Sequence, residues 1–514
     1  MAFLVAAGTV LELALLLLYV ATGLDRTSYL FEPFFGMAYI VYFAAAVLVS
    51  RSRPSGSMAS VAAIVAFGCV TSATFLLQNP TLSDDIYRYI WDGKLIVNGI
   101  SPYAYAPDAS QLAFLRDSNW VLVNSKDVVS PYPPLLELLN GAVHLVSPTV
   151  LAYKAAFLVP NFAIIAGLPF LLRRLKLDPR LSIIYSWNPL FVLEFSSSGH
   201  DDPLALFFVL VSFYALFSGR RTLSAGAMAL GVLSKLYPLL FVPILLKKWG
   251  VRGAAVFSAL VIVFYVPFLL STGNVLAPIS VYVLSNRSAF NGGAFSVFVG
   301  IFDALDLTWS FDAARLLELS IFLVALVWLT WKATRRPSDD LRLGVYCAAA
   351  LTLYISLSST VQPWYLAWIF VPFLTIMSSW TWIIFSGTIV LTYYTYTQPP
   401  IQPGYWAEIV WVKVVEYAQL YGVATYEILS RTYLRPLRRL DEGASKATTA
   451  SGVAGSHAQL GDLLRSALAA RGEGAGAPLP PLGHAMRSRF PSPPRSHEET
   501  DADGQRHGKE DWRQ

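Results

Sequence analysis

The sequence predicts an all-α membrane protein that crosses the bilayer about 11–13 times. Three observations lead to this class. The 514 residues are 55% hydrophobic and only 14% charged, whereas about a quarter of a soluble domain is charged. The apolar residues fall in blocks close to the ~20 residues that a spanning helix needs, and the first block reads "LVAAGTVLELALLLLYVA". The basic residues lie in the short stretches between blocks, as they do in cytoplasmic loops.

These basic stretches predict the topology. They begin at Arg51, Arg173, Gly219, Lys247, Lys332 and Arg435. If all of them are cytoplasmic, the chain starts inside the cell and the apolar blocks alternate in direction. Spanning helices are then expected at 3–22, 36–50, 58–77, 151–172, 182–197, 203–218, 253–271, 312–331, 341–358, 363–378, 380–397 and 405–430.

Two regions depart from simple spans. Residues 78–150 form a large first outer loop, and long connections in compact folds are often functional. Residues 222–246 begin and end at basic stretches, which leaves about half the length that two full spans need. We therefore expect two partial helices broken near "SKLYP", with Lys235 at the tip. The composition then changes to Gly, Ala, Ser, Pro and charged residues. This change predicts a disordered cytoplasmic tail at 440–514, after a membrane module at 1–435.

Four charged residues lie together in the first outer loop, in "SDDIYRYIWDGKLI". If this stretch is helical, Asp84, Arg88 and Asp92 follow one another every fourth residue, and Asp85 shares a face with Tyr89 and Asp92. A carboxylate at the membrane edge is costly unless it is paired or used. Two interpretations stay open, an ion-paired surface helix with aromatic anchors and a set of catalytic acids.

A second polar group occurs in "NPLFVLEFSSSGHDDP". Glu194 lies within a predicted span, and His200, Asp201 and Asp202 follow at its outer end. Asp202 and the proline after it are typical of the start of the next helix. His200 beside an acid could bind a metal, but no second ligand stands at ligand spacing on that helix. Lys235 either extends its amine to the interface or attracts an anionic lipid phosphate.

Aromatic residues mark two further places on the outer side. "YPPL" contains Tyr132, and "STVQPWYLAW" contains Gln362 and Trp364. They predict either an aromatic belt or a platform for a sugar or isoprenoid. The chain has no P-loop, no dinucleotide fingerprint after a strand and no HExxH motif, so a nucleotide-driven pump is not expected, nor is a nucleic-acid partner. A reaction on the outer face would take its transferred group from a lipid, because nucleotide sugars are scarce there.

Taken together, these motifs resemble those of bacterial and archaeal GT-C glycosyltransferases that use polyprenyl-phosphate mannose. They occur in the same order, as "DDIYRYIWDGKLIVNGISPYAY", "YPPL", "NPLFVLEFSSSGHDDPLAL", "SKLYPLLFVP", "FNGG" and "QPWYLAW". The likeness covers roughly residues 80–370. "GHDD" stands where that family has "GHND".

The resemblance implies a multi-pass transferase of the cell membrane with an extracytoplasmic active site. It would move a sugar from polyprenyl phosphate to a hydroxyl of a glycolipid or glycan. The resemblance to the family implies that this sugar is mannose. Asp85 matches the family's catalytic base, with Asp84 adjacent. The residues expected to bind the donor phosphate or substrate are Arg88, Asp92, Lys235, Glu194, His200, Asp201, Tyr132, Gln362 and Trp364. A requirement for a divalent metal is left open.

Three alternatives remain. The same chemistry could act on a protein hydroxyl or a lipid A-type acceptor. A lipid or sugar transporter or flippase would also contain broken helices, although its charges would be expected near the bilayer midplane. An inactive scaffold would keep the motif only to anchor the outer loop.

Overall fold

The computed structural model describes a helical chain. The residues that it describes are 1–53, 57–271, 274–280, 289–335, 340–370, 379–399 and 407–430. Within these ranges no β-strand is present, and isolated bridges join Thr360 to Phe290 and Asn291. The predicted tail at 440–514 and the basic stretch at Arg435 lie outside the described residues.

The α-helices follow one another along the whole described chain. They are α1 (Ala2–Thr22), α2 (Phe31–Arg51), α3 (Met58–Thr74), α4 (Asp85–Val97), α5 (Ser118–Leu122), α6 (Pro134–Val146), α7 (Val150–Arg174), α8 (Ile183–Ser186), α9 (Pro189–Val192), α10 (Asp202–Phe217), α11 (Arg221–Ser234), α12 (Val242–Leu269), α13 (Ala277–Ile279), α14 (Gly293–Ala304), α15 (Ser310–Arg335), α16 (Asp340–Leu357), α17 (Ala367–Ile369), α18 (Trp380–Thr388) and α19 (Val410–Leu429). The 3₁₀ helices are Ser110–Leu115, Pro179–Ser182, Tyr237–Phe241, Pro363–Leu366 and Ile389–Thr397, and Leu193–Ser197 is a π-helical turn.

Several of these helices can cross a membrane. Among the described residues, five segments are long and apolar enough, namely α1, α2, α7, α15 and the stretch Tyr237–Leu269. Five shorter apolar helices accompany them, α3, α6, α10, α14 and most of α16. The predicted class, an all-α membrane protein with several spans, is therefore confirmed. The number of 11–13 crossings stays a prediction.

The long helices are apolar on both faces. In α1, Leu15 and Leu18 are fully buried, whereas Leu13 and Val20 are 59% and 78% exposed. An outward apolar face of this size would be unfavourable in water. It is suited to a bilayer, because lipid chains are as apolar as leucine.

The predicted break at "SKLYP" is present. Helix α11 ends at Ser234, and Lys235 has extended backbone angles (φ −155°, ψ 148°). The 3₁₀ helix Tyr237–Phe241 then leads into α12. A second interruption lies at Gly250, whose φ of +67° bends α12 within "KKWGVR".

The helix predicted at 182–197 is wrong as a continuous span. The chain there forms a 3₁₀ helix, α8, α9 and the π-helical turn in succession. The cause is Asn188 followed by Pro189: proline lacks the N–H that a continuing helix needs, and the Asn188 side chain accepts a hydrogen bond from Leu190 N at 3.1 Å, which caps a new helix. Glu194 consequently lies in the π-helical turn.

Residues 78–150 are held against the membrane helices. Helix α4 lies so close to α6 that a Cβ added to Gly93 would be 2.5 Å from the Asn140 carbonyl oxygen. On its other side, the Tyr89 ring meets Phe157 of α7 edge-on, with centroids 5.3 Å apart. This packing fixes the position of the first turn of α4, where Asp84 and Asp85 lie.

Candidate active site

Two adjacent carboxylates lie at the N-terminus of α4. Asp85 is its first residue and Asp84 precedes it, where the helix dipole favours negative charge. The Asn124 side-chain amide nitrogen donates to Asp85 Oδ1 at 2.6 Å and to Asp84 Oδ1 at 2.9 Å. The Asp85 side chain is 23% exposed. One amide therefore orients both acids, and Asp85 remains within reach of a substrate.

His200 lies between Asp85 and Glu194. Its Nδ1 is 3.6 Å from Asp85 Oδ2, and its Nε2 is 3.3 Å from Glu194 Oε2. The side chains of His200 and Glu194 are fully buried. Trp364 stacks on the imidazole with ring centroids 3.8 Å apart, and the Tyr393 hydroxyl donates to Glu194 Oε1. The two acids of different motifs are thus joined by one imidazole.

The irregular backbone before His200 creates this arrangement. The π-helical turn Leu193–Ser197 directs Glu194 and His200 to the same place; such turns occur frequently at functional sites. Gly199 then adopts a φ of +75°, and an added Cβ would lie 2.6 Å from Ile86 and 2.8 Å from Lys154. Only glycine fits this position without displacement.

The environment changes the pKa of Asp85 and of His200. Burial raises the pKa of the Asp85 carboxyl above its ordinary value; Asp84 adds to this, and His200, Asn124 and Lys235 partly oppose it. For His200, burial lowers the pKa, but the contact with Glu194 and the charge of Asp85 outweigh it, so the pKa is raised. A cationic imidazole between two acids is the arrangement that these effects favour.

A second polar cluster adjoins the first through Asp201 and Asp202. Lys235 Nζ donates to Asp201 Oδ1 at 2.9 Å and to Asp202 Oδ2 at 2.8 Å. The Tyr89 hydroxyl donates to Asp201 Oδ1 at 2.8 Å, and Trp368 Nε1 donates to Asp202 Oδ1 at 2.5 Å. The lysine at the broken helix is therefore bound to the residues that follow His200.

Arg88 and Asp92 lie apart from both clusters. Arg88 Nε donates to Asp92 at 3.1 Å, and its two terminal nitrogens donate to the carbonyls of Ser125 and Val128 at 3.3 and 3.0 Å. Arg88 is 2% exposed and Asp92 is fully buried. The spacing of four predicted this pairing, but the geometry makes Arg88 an anchor of the 78–150 segment and not a partner of Asp85.

The predicted aromatic residues occupy different places. Trp364 covers His200, as described. Tyr132 is 6% exposed, and its ring packs edge-on against Tyr89 at 5.1 Å. Gln362 is half-buried and precedes the 3₁₀ helix Pro363–Leu366. The structure thus brings Trp364 to the acids directly and Tyr132 through Tyr89.

Several residues around the site were not predicted from the sequence. Asn124 lies in an irregular stretch, and Tyr393 looks like an ordinary interfacial aromatic residue. Arg26, between α1 and α2, lies over the Tyr396 ring at 4.2 Å and donates to the Leu82 carbonyl at 3.0 Å. No spacing or motif relates these positions to the site, because they approach it only after folding.

Among the residues that the structure describes, no three His, Cys, Asp or Glu side chains are placed to hold a metal ion. Each ring nitrogen of His200 faces a carboxylate. The geometry therefore pairs His200 with two carboxylates, and it adds no support to the interpretation of His200 as a metal ligand.

Comparison with known proteins finds similarity to mannosyltransferases. Residues 2–251 match the family described as "Alpha-(1->6)-mannopyranosyltransferase, N-terminal domain". Alpha-(1->6)-mannopyranosyltransferase A of Mycobacterium tuberculosis (strain ATCC 25618 / H37Rv) is 24% identical over 330 residues, which cover 58% of this chain and 62% of the relative's length. No solved structure matches the chain. These matches confirm the predicted resemblance to GT-C mannosyltransferases and support a glycosyltransferase.

Proposed function

We propose that this protein transfers mannose from polyprenyl phosphate to a hydroxyl of a glycolipid or glycan at the extracytoplasmic face of the membrane. The observation that carries the proposal is the position of Asp85: it heads α4, is partly exposed, and is paired with a buried His200–Glu194 unit. The match to mannosyltransferases supports the choice of sugar.

Asp85 acts as the general base in this proposal. A sugar hydroxyl is a weak nucleophile at neutral pH, and a positioned carboxylate typically increases the rate by about 10²–10⁴-fold. The acceptor oxygen forms a bond to the anomeric carbon while its proton passes to Asp85. The bond from that carbon to the phosphate oxygen breaks, and its electron pair leaves with polyprenyl phosphate.

The leaving phosphate needs positive charge and not a proton donor. Of the two cations proposed from the sequence, Lys235 lies beside the residues that follow His200, whereas Arg88 is buried in its pair with Asp92. We therefore assign the phosphate to the side of Lys235.

A single displacement inverts the anomeric centre. A β-linked donor would then give an α-linked product, which agrees with the "alpha" in the relative's name. Asp84 is not required as a second nucleophile; its negative charge instead raises the pKa of Asp85, and a carboxylate of higher pKa is a stronger base.

The test is sugar transfer by the full chain in reconstituted membranes, with radiolabelled polyprenyl-phosphate mannose and extracted glycolipids. Asp85→Asn keeps the size and the contact with Asn124 but cannot accept a proton. We expect it to lower transfer about 100-fold or more. Asp84→Asn is the matched control, because it changes the adjacent carboxylate equally, and it should retain most of the activity.

Equal transfer by the parent and Asp85→Asn would exclude Asp85 as the base. Loss in Asp84→Asn alone would assign the base to Asp84. If the parent transferred no mannose but moved lipid between leaflets, the transporter alternative would replace the proposal.

A further inference from the structure

The motif "FNGG" at 290–293 is held by helix α19. Its asparagine, Asn291, is 2% exposed and has a left-handed φ of +53°. The side-chain amide of Asn291 donates to Glu416 Oε2 at 2.8 Å, and its carbonyl accepts a hydrogen bond from the Tyr417 hydroxyl. The backbone N–H of Asn291 donates to Glu408, just before α19. The motif is therefore joined to α19 and its start through one asparagine.

The same motif supports the segment that covers His200. Phe290 forms two backbone hydrogen bonds with residues 359–361, at 3.0 and 2.9 Å. The two backbones approach so closely that a Cβ added to Gly292 would lie 2.6 Å from a carbonyl oxygen of this segment. Trp364 follows a few residues later and stacks on the imidazole of His200. The position of the indole over the imidazole therefore depends on the motif.

Glu416 also reaches the other side of the imidazole. Its side chain is fully buried in α19, and a buried acid in an apolar helix is costly unless it is paired or used. The backbone of Thr392 interacts with the same carboxyl that accepts from the motif. The next residue, Tyr393, donates its hydroxyl to Glu194, which faces His200. One buried carboxyl thus connects to both elements that enclose the imidazole.

A second acid of α19 serves for comparison. Glu427 accepts hydrogen bonds from the Ser379 hydroxyl at 2.8 Å and from Trp380 N at 2.6 Å. These contacts fasten α19 to the start of α18, about 16 Å along the helix from Glu416. The two acids have similar hydrogen bonds and lie on one helix, but they hold different elements.

We propose that Glu416 and Asn291 are positioning residues, which hold two aromatic side chains around His200. These side chains are Trp364, which covers the ring, and Tyr393, which acts through the neighbouring acid. The asparagine connects to Trp364 through the motif, and the carboxyl connects to both. This assignment gives the "FNGG" motif a role in the site although it lies outside it.

The position of His200 has a consequence for the carboxyl beside it. His200 is among the groups that lower the pKa of Asp85, as Lys235 is, whereas burial and Asp84 raise it. If His200 moves away, the pKa of Asp85 rises, and the carboxyl stays protonated up to a higher pH. The use of Asp85 as a base rests on the proposed function, but the connection from Glu416 to His200 does not.

The test exchanges the two polar partners. Asn291→Asp places a second carboxyl against Glu416, and two buried carboxyls repel each other. Asn291→Asp combined with Glu416→Gln restores one donor and one acceptor with their roles reversed, so it should recover most of the loss. Glu416→Gln alone keeps the size but loses the charge that strengthens both contacts. Glu427→Gln is the matched control on the same helix.

Two measurements are made on the full chain. Hydrogen–deuterium exchange in detergent needs no substrate, and in Asn291→Asp it should rise several-fold in 194–200 and 360–366. In reconstituted membranes, kcat/KM for mannose transfer should fall about 100-fold, with its acidic limb displaced to higher pH. The double variant should return towards the parent in both measurements. Glu427→Gln should match the parent in the limb and in the exchange at 194–200.

An unmoved limb with parent-like exchange at 194–200 in Asn291→Asp would overturn the proposal. A double variant no better than Asn291→Asp would overturn it too, and so would an equal effect of Glu427→Gln, which would indicate a general loss of stability. If Asn291→Asp does not fold, Glu416→Gln is compared with Glu427→Gln, and equal results would again contradict it. Exchange that responds in a protein without any mannose transfer would keep the positioning role and remove the proposed function.

Discussion

His200 is held as part of a chain of four groups, in which the Tyr393 hydroxyl bonds to Glu194, Glu194 faces His200, and His200 faces Asp85. A buried imidazolium lowers the pKa of a neighbouring carboxyl and keeps it ionised. At the scale of the residue, if Asp85 is the base as proposed, the contribution of His200 is to keep it able to accept a proton.

This contribution has a signature in the pH profile. Asp85 must be ionised to act as a base, so transfer falls as the pH drops through its pKa. His200→Asn removes a cation that lowers the pKa of Asp85, while burial and Asp84 still raise it. The acidic limb of kcat/KM should then move to higher pH by about one unit or more, with partial recovery in alkaline buffer.

The measurement is kcat/KM for mannose transfer between pH 4.5 and 9 in the parent and the variant. The other charged groups that act on His200 are Glu194 and Asp202, and Lys235 also acts on Asp85; all stay in place. A uniform loss of rate with an unmoved limb would show that His200 is only structural.

Single residues were predictable from the sequence where a local motif contained them. Asp85, Glu194 and His200 stood out because acids and a histidine are rare beside apolar blocks. The i, i+4 spacing correctly gave the Arg88–Asp92 pair, yet it could not show that both would be buried. Asn124 is 39 residues from Asp85, and no local rule connects them.

At the scale of the element, two glycines with the same backbone angle allow a comparison. Gly199 has a φ of +75° and touches Ile86 and Lys154, whereas Gly219 has a φ of +76° and no atom within 4 Å of an added Cβ. A side chain added at either site would be strained by the left-handed backbone conformation. Only a side chain added at Gly199 would also have to displace neighbouring atoms.

We therefore expect different outcomes for the two alanine variants. Gly219→Ala should lower the free energy of unfolding by about 1–2 kcal/mol, the cost of a left-handed alanine, and keep its transfer activity. Gly199→Ala should shift His200 from Asp85 and reduce transfer roughly 100-fold, as small misplacements of catalytic groups do. Thermal unfolding in detergent and the transfer assay measure the two effects. Equal activity in both variants would contradict the importance of this turn.

Elements were predictable where composition alone decides. Blocks such as α1 and the break after Ser234 followed from length and hydropathy. The prediction of one helix at 182–197 failed because hydropathy does not detect that Asn188, before Pro189, caps a new helix. The π-helical turn that presents Glu194 arises in this same stretch.

At the scale of the whole molecule, one helix of the site has acidic and basic residues at its opposite ends. Helix α10 begins at Asp202 and is followed by Arg220 and Arg221. The basic ends also meet each other: Arg180 donates to the Arg53 carbonyl at 2.7 Å. With the positive-inside tendency, this distribution supports an extracytoplasmic site.

Sidedness can be measured with single cysteines after replacement of Cys69 and Cys347 by serine. Ser110 and Arg174 are both exposed, near the acidic and basic ends respectively. A membrane-impermeant maleimide added to intact cells should label Ser110→Cys, and it should label Arg174→Cys only after permeabilisation. The opposite pattern would place the acids in the cytoplasm.

The bond between Glu194 and Tyr393 also affects how the protein is made. The two residues are 199 positions apart in the chain, and a ribosome adding 5–20 residues per second needs roughly 10–40 s to cover that distance. During this interval the segment with Glu194 has been synthesised while its tyrosine partner has not. Until the last third of the polypeptide arrives, Glu194 therefore lacks the Tyr393 hydroxyl and has its close neighbour in the chain, His200, to pair with.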